Sequence, residues 1–156
     1  MMELNDTLRV RGHIRIDKYA ADGHLYGVTE AENIFLTAGI NEIWSLVTGQ
    51  SANTFSNAKA LIGIGDSSTT AAAGQTDLQA ATNKTYSVQN GGFPTAPSAG
   101  AVQFQATFGS ADANYAWAEF VVKQAASAIC IDRGVSAMGT KAAGTTWTVT
   151  VTLSIA

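Results

Sequence analysis

Apolar and polar residues alternate along several segments of the chain, and this pattern predicts a mainly β protein. Near the N-terminus, Leu8, Val10, Ile14 and Ile16 share one face of a predicted strand, and Arg9, Arg11, His13 and Arg15 share the other. A period of two residues is typical of a strand with one buried face. The turn residues at 21–23 follow, so residues 24–32 are predicted to return as the second strand of a hairpin.

Further strands are predicted by short apolar or alternating runs separated by Gly-rich turns. The closing segment alternates most clearly, with apolar residues from Trp147 to Ile155 set between threonines and a serine. The other predicted strands are 58–65, 84–88, 102–108, 115–122 and 129–135. Because helices do not alternate with these strands, the predicted fold is an antiparallel β-sandwich or jelly roll of about eight strands.

One short amphipathic helix is predicted at about residues 38–48. Thr37 is a suitable N-cap, and Gly49 stands where a helix commonly ends. The spacing of one helical face is shown by Ile40, Ile43, Trp44 and Val47. We expect this face to pack across one end or face of the sheet. The Ser-, Thr-, Ala- and Gly-rich loop 66–75 is expected to pack against little.

Length and composition indicate one domain with an appended segment. The chain has 156 residues, of which 46% are hydrophobic, enough to form a hydrophobic core. We divide it into an N-terminal strand or arm, residues 1–17, which is a candidate for engaging a neighbouring subunit, and a β-sandwich domain, residues 18–156. No apolar run approaches the roughly 20 residues of a membrane span. The N-terminus also lacks secretory features, so synthesis in a cytoplasm is expected.

Charged residues are scarce, at 13% of the chain against roughly 25% in ordinary domains. Two interpretations remain open. Other subunits cover much of the surface, or a sandwich rich in threonine and serine simply needs few charges. The net charge of −3 argues against nucleic-acid binding, which favours a basic excess.

The sequence contains no recognisable catalytic or metal-binding motif, so no enzyme activity, cofactor or metal site is predicted. The two histidines, His13 and His24, lie near opposite ends of the predicted hairpin, and no nucleophile elbow is present. Residues 63–68 begin like a phosphate-binding loop but lack its third glycine and lysine. Cys130 lies in an apolar run and is predicted to be a buried thiol.

Glu119 is predicted to lie in a strand that is apolar on both faces. One interpretation is a buried carboxyl group beside Trp117. Pairing with Arg133 or Lys123 across neighbouring strands is the interpretation we prefer.

The basic face formed by Arg9, Arg11, His13 and Arg15, called here the basic stripe, is the candidate subunit interface. One interpretation is a solvated strand face that Glu30 and Glu32 on the returning strand match in charge. The other is an electrostatic contact with an acidic neighbouring subunit.

Three passages in order resemble small structural proteins of tailed bacteriophages. They are residues 60–81, which begin ALIGIGDSSTT, residues 115–122, YAWAEFVV, and residues 133–135, RGV, before the Thr-rich closing strand. The segment NIFLTAGI at 33–40 precedes them. Over roughly residues 30–156 the chain is similar to capsid decoration or cement proteins, and also to some tail-associated virion proteins.

The resemblance implies a β-sandwich protein, often a homotrimer, that binds the major capsid protein on the exterior of the assembled head and stabilises the shell. It implies a virion location after synthesis in the host bacterial cytoplasm, and it carries no catalytic residues. A tail- or fibre-associated virion protein remains an alternative. A carbohydrate-binding β-sandwich is another, with candidate aromatic residues Tyr19, Tyr26, Tyr86 and Phe93.

Overall fold

The computed structural model describes residues 9–155, which form eight strands and one helix. The elements are β1 (Val10–Tyr19), β2 (Leu25–Phe35), α1 (Thr37–Val47), β3 (Ala60–Gly65), β4 (Lys84–Val88), β5 (Ala101–Phe108), β6 (Ala116–Gln124), β7 (Asp132–Thr140) and β8 (Thr146–Ile155). All strand pairs are antiparallel, in one nearly closed sheet of order β4-β3-β6-β7-β2-β1-β8-β5. The predicted fold class, mainly β with about eight antiparallel strands and one short helix, is confirmed.

The sheet has two four-stranded halves that face each other around the core. The first half is β2-β1-β8-β5 and the second is β4-β3-β6-β7. β2 and β7 join the halves through the pairs Ile34–Arg133 and Phe35–Asp132. On the other side, hydrogen bonds such as that from the Asn90 N–H to the Gln105 carbonyl, 2.7 Å, connect the chain after β4 to β5. The two halves are therefore the layers of a sandwich-like arrangement. They are connected on one side by β2 and β7 and on the other by the hydrogen bonds between β5 and the chain after β4.

Inward side chains from both halves form the main hydrophobic core. Trp117 of β6 contacts Phe108 and Trp147 edge to face, with ring centroids 5.0 and 4.7 Å apart. In β8 the apolar residues from Trp147 to Leu153 are buried, and the threonines between them are partly exposed. The alternation predicted for this strand is therefore present in the structure.

The ends of α1 match the predicted helix closely. Leu36, not Thr37, is the N-cap residue, and no side chain caps the first turn, so the predicted cap is wrong. At the other end Gly49 adopts a φ of 72° just past the helix. The glycine therefore ends the helix as predicted, since a side chain is strained in this conformation.

The orientation of α1 differs from the prediction. Gly39 faces the chain before β7, where an added Cβ would lie 2.4 Å from the Cα of Ile131. Only a glycine allows the helix to lie this close, and this contact sets which side faces inward. Ile43 packs against the core as predicted. Trp44 and Val47, expected to be buried, are 63% and 69% exposed.

The segment between β3 and β4 covers the outer surface of the second half of the sheet. Leu78 and Ala80 are buried, and Leu78 joins Leu36, Val121 and Cys130 in a second apolar cluster. As expected, residues 66–75 pack against little, since none of them is buried and none belongs to either apolar cluster. These residues supply acceptors to a buried arginine of β7, as described below.

The predicted N-terminal strand or arm lies partly within the described chain. Residues 10–17 form most of β1, which pairs with β2 on one side and β8 on the other. Residues 1–8, including Leu8, lie outside the described residues. Engagement of a neighbouring subunit by this segment stays a prediction. Within 9–155, no helix is long and apolar enough to cross a membrane.

Candidate assembly surfaces

The basic stripe lies on the outer face of the first half of the sheet. Arg11, His13 and Arg15 are exposed on β1, whereas Ile14 and Ile16 between them are fully buried. Arg9 immediately precedes β1 and is also exposed. The alternation that was read from the sequence therefore places all four residues at the surface.

Acidic residues neutralise one end of the basic stripe. The guanidinium of Arg15 lies 2.8 Å from Asp17 and 3.7 Å from Glu30, and its pKa is raised by the hydrogen bond and charge of Asp17. His13 Nε2 is 4.0 Å from Glu30. Arg11 forms no ion pair within residues 9–155. Charge matching by the acidic residues of β2 therefore applies to Arg15 and not to Arg11, which remains available to another molecule.

A polar, mostly uncharged surface continues from the basic stripe across β8 and β5. The register sets Thr152 opposite His13, and Thr150 opposite Arg15. Gln105 of β5 donates to the Thr150 hydroxyl at 3.0 Å. Such cross-strand pairs order the outer face without adding charge.

A groove of about 590 Å³ opens beside Arg11 on this surface. Its lining includes Arg11, His13, Glu32, Thr152 and Ser154. It combines hydrogen-bond donors and acceptors with both signs of charge, so it suits a polar protein segment with an acidic group near Arg11.

The second candidate surface is the outward side of α1. Ile40, Trp44 and Val47 are 38%, 63% and 69% exposed and lie at the i, i+4, i+7 spacing of one helical stripe. Glu42 is the only charged residue in the segment 36–58, and its buried carboxylate accepts a hydrogen bond from Ser51. This exposed apolar side of α1, called here the helix stripe, therefore carries no charge. The sequence identifies these residues as one apolar helical face but does not show that they are exposed. The signal in the sequence is Gly39, whose side of the helix packs against the chain before β7.

An apolar cavity of about 340 Å³ lies beneath the inner side of α1. Ile43 of the helix, Phe104 of β5 and Leu153 of β8 are among its lining residues. The helix therefore covers the end of the sandwich without filling it completely.

Glu119 and Arg133 form a fully buried ion pair on the outward side of β6 and β7. Arg133 donates to Glu119 from Nε at 2.9 Å and Nη2 at 2.7 Å, and both side chains are 0% exposed. Glu119 also accepts the backbone N–H groups of Gln79 and Ala80 at 2.8 and 2.7 Å. The predicted pairing of Glu119 with Arg133 is confirmed, and it fastens the β3–β4 segment to the sheet.

Arg133 also donates to the same segment, from Nη1 to the Gln75 side chain at 2.8 Å and from Nη2 to the Thr69 carbonyl at 2.9 Å. Lys123, the other predicted partner of Glu119, instead pairs with Asp77, which also accepts the Tyr86 hydroxyl at 2.7 Å. The fully buried Glu119–Arg133 pair and the partly exposed Lys123–Asp77 pair therefore hold two parts of one covering segment.

The remaining sequence candidates are dispersed. His24 contacts Asp22 in the exposed β1–β2 turn, far along the hairpin from His13. Cys130 is fully buried, as predicted, and burial raises the pKa of its thiol. Among the described residues, no group of three or more His, Cys, Asp or Glu side chains is placed to hold a metal ion.

The aromatic residues considered for sugar binding do not share one surface. Tyr26 lies on β2 and its hydroxyl accepts a hydrogen bond from Trp147 Nε1 at 2.8 Å. Tyr86 lies on β4, in the other half of the sheet, where its ring lies under the Lys123 amine, 4.6 Å from the centroid. Comparison with known proteins finds no matching family model, no similar curated protein and no similar solved structure.

Proposed function

We propose that this protein is a non-enzymatic structural component of a tailed-bacteriophage particle, a decoration or cement protein that binds and stabilises the assembled head shell. The observation that carries the proposal is the helix stripe, an uncharged surface with Trp44 and Val47 more than 60% exposed. Exposed aromatic and aliphatic residues grouped on one element are typical of surfaces that other proteins cover. The resemblance of residues 30–156 to decoration proteins indicates which kind of assembly is involved.

Two further features support a role in an assembly. The low charged fraction, 13%, is easier to reconcile with a chain whose surface is shared with neighbours than with an isolated monomer. Arg11, beside the groove on the outer sheet face, has no internal counter-ion within the described residues and is available to an acidic group of the major capsid protein. A homotrimer seated at a capsid symmetry axis would multiply such contacts.

The number of copies per particle tests the location. Particles are sedimented from a lysate of the source, and the molar ratio of this chain to the major shell protein is measured by mass spectrometry. A ratio near one supports the cement role. A few copies per particle would replace it with a tail or fibre component, and absence from particles would refute the virion proposal.

The two surfaces are tested separately with purified variants added to particles that lack the protein. Trp44→Ser removes the largest exposed apolar group of the helix stripe, and Arg11→Glu reverses the charge beside the groove. Lys59→Glu, at an exposed position away from both surfaces, is the charge-change control. We expect both test variants to fold and to cosediment with particles more weakly than the control. Unchanged binding by Trp44→Ser would remove the argument from the helix stripe.

A further inference from the structure

β2 has a free edge over most of its length within residues 9–155. The strand extends from Leu25 to Phe35 and pairs with β1 along one edge. Along the other edge it pairs with β7 only at Ile34 and Phe35. From Leu25 to Asn33, β2 is therefore the edge of an open seam between the two halves of the sheet.

The backbone groups that point into this seam belong to Val28, Glu30 and Glu32. The Leu36 N–H donates to the Ile131 carbonyl before β7 at 2.8 Å. Backbone polar groups of successive strand residues point to alternate edges, so those of every second residue before Leu36 point the same way. The Glu32 carbonyl faces Gly134, where an added Cβ would lie 3.0 Å from it, so β7 still lies beside Glu32 and the free backbone groups are those of Val28 and Glu30.

A bulge in β7 accompanies the separation of the two strands. Trp117 pairs with Gly139 and Glu119 with Val135, so residues 136–138 of β7 lie opposite Ala118 alone. A bulge bends its strand and interrupts pairing. The Met138 carbonyl accepts the Lys18 amine at 2.6 Å instead of an amide of β2.

The seam also gives access to the edge of the core. The inward-facing Thr29 and Ala31 of β2 are partly exposed, whereas Ile14 and Ile16 of β1, on the same face, are fully buried. A groove of about 420 Å³ lies where the strands part, lined by residues that include Glu32, Ile34, Thr70, Arg133 and Val135.

We propose that an extended segment of a second protein adds to this free edge as a further strand, with basic residues on its outward side and apolar residues on its inward side. The outward row of β2 is Val28, Glu30, Glu32 and Ile34, all of them exposed. Glu32 forms no ion pair within the described chain, and Glu30 has contacts of 3.7 and 4.0 Å only. Opposite charges on directly facing strand positions are favourable.

A second copy of the same edge is a poor occupant, because antiparallel β2–β2 pairing would bring Glu30 and Glu32 of both copies together. Strand addition obtains its affinity from main-chain hydrogen bonds and its specificity from side-chain positions. The inference goes beyond the proposed structural role and does not depend on it, because any partner with such a segment would satisfy the edge.

The probe is a synthetic peptide of residues 9–17, RVRGHIRID, which has the required alternation and whose sequence pairs with the opposite edge of β2. Binding to the full chain is measured by fluorescence anisotropy and mapped by amide chemical shifts. Before addition, the amides of Val28 and Glu30 should exchange with solvent faster than those of Thr29 and Ala31. After addition, the first group should be protected and the β1 amides unchanged.

Val28→Pro tests the edge because proline removes an N–H that points into the seam, and Val28→Ala is its matched control. We expect Val28→Pro to weaken peptide binding about tenfold relative to Val28→Ala. Glu30→Lys/Glu32→Lys reverses two side-chain charges without removing a backbone N–H and should also weaken binding. A peptide with Arg11→Glu and Arg15→Glu, and a peptide with the same residues in scrambled order, should also bind the native chain more weakly.

Equal affinity of Val28→Pro and Val28→Ala would overturn the proposal, as would shifts confined to the outer face of β1 and β8. Protection of β2 amides at high protein concentration without peptide would assign the edge to a second copy instead. None of these outcomes depends on the presence of the protein in virions.

Discussion

Replacing Glu119 with glutamine would remove one negative charge from a fully buried site while hardly changing its volume. In the native chain the two carboxylate oxygens accept four hydrogen bonds, from Arg133 Nε and Nη2 and from the N–H groups of Gln79 and Ala80. Glutamine has one acceptor oxygen, so it cannot replace all four. The Arg133 guanidinium would keep its bonds to Gln75 and Thr69 but lose its counter-ion.

The expected cost follows from burial. Removing one partner of a buried ion pair typically costs about 3–5 kcal/mol, because the other charge remains without compensation. Both side chains are 0% exposed, so water cannot take the place of the lost partner. We therefore expect Glu119→Gln to lower the free energy of unfolding by about 4 kcal/mol. For a domain of this size, this corresponds to roughly 8–16 °C in Tm.

Urea denaturation followed by tryptophan fluorescence measures the change at neutral pH. Glu32→Gln is the matched control, because the same chemical change at an exposed position should stay within about 0.5 kcal/mol of the native chain. Adding Arg133→Met to Glu119→Gln should cost less than the sum of the two single changes, since it removes the uncompensated charge. A loss below about 1 kcal/mol for Glu119→Gln, or strict additivity, would refute the reasoning.

Two further predictions concern the pH dependence of stability and the position of the helix. Burial raises the pKa of Asp132, whose side chain is fully buried and accepts the Val122 N–H, to about 7. Between about pH 4 and 7 the native state keeps this proton and the unfolded state loses it, so stability should fall with rising pH across this window and level off above it, by at most about 4 kcal/mol. Asp132→Asn should abolish this fall, as measured by urea titrations of the variant and the native chain at several pH values. The Asn33 amide can accommodate the change by turning its unpaired Oδ1 toward the new donor. An unchanged dependence of stability on pH in the variant would contradict the prediction. Gly39→Ala should destabilise the protein by about 1–3 kcal/mol, because the added Cβ would lie 2.4 Å from the Ile131 backbone. This cost should exceed the gain from the higher helix propensity of alanine. A higher Tm than that of the native chain would show that the helix position adjusts at little cost.

The strands were predictable because each one carries its burial pattern locally. In β8, buried apolar residues alternate with partly exposed threonines, and a period of two is compatible with a strand and with little else. The basic stripe was located at the surface for the same reason, since Ile14 and Ile16 had to face inward. The Glu119–Arg133 pair was predicted because a carboxylate on an apolar strand requires a compensating charge nearby.

The outward direction of the helix stripe and the hydrogen bonds of the β3–β4 segment to Arg133 were not predicted, for a common reason. An apolar helical face was assumed to pack inward, but the close approach of Gly39 to Ile131 directs Trp44 and Val47 outward. The segment 66–75 looked featureless because its acceptors for Arg133 are a backbone carbonyl and one glutamine, which no sequence pattern marks. Both outcomes depend on contacts between residues far apart in the chain.

From the sequence alone one can determine the fold class, the number of strands, the inward and outward residues of β1 and β8, and the burial of Cys130, because each follows from neighbouring residues along the chain. Only the tertiary structure decided which side of α1 faces solvent, how the β3–β4 segment covers Arg133, and that β2 and β7 pair only at Ile34–Arg133 and Phe35–Asp132. These features are set by the relative placement of strands. That placement depends on packing distances and bulges, which local periodicity does not record.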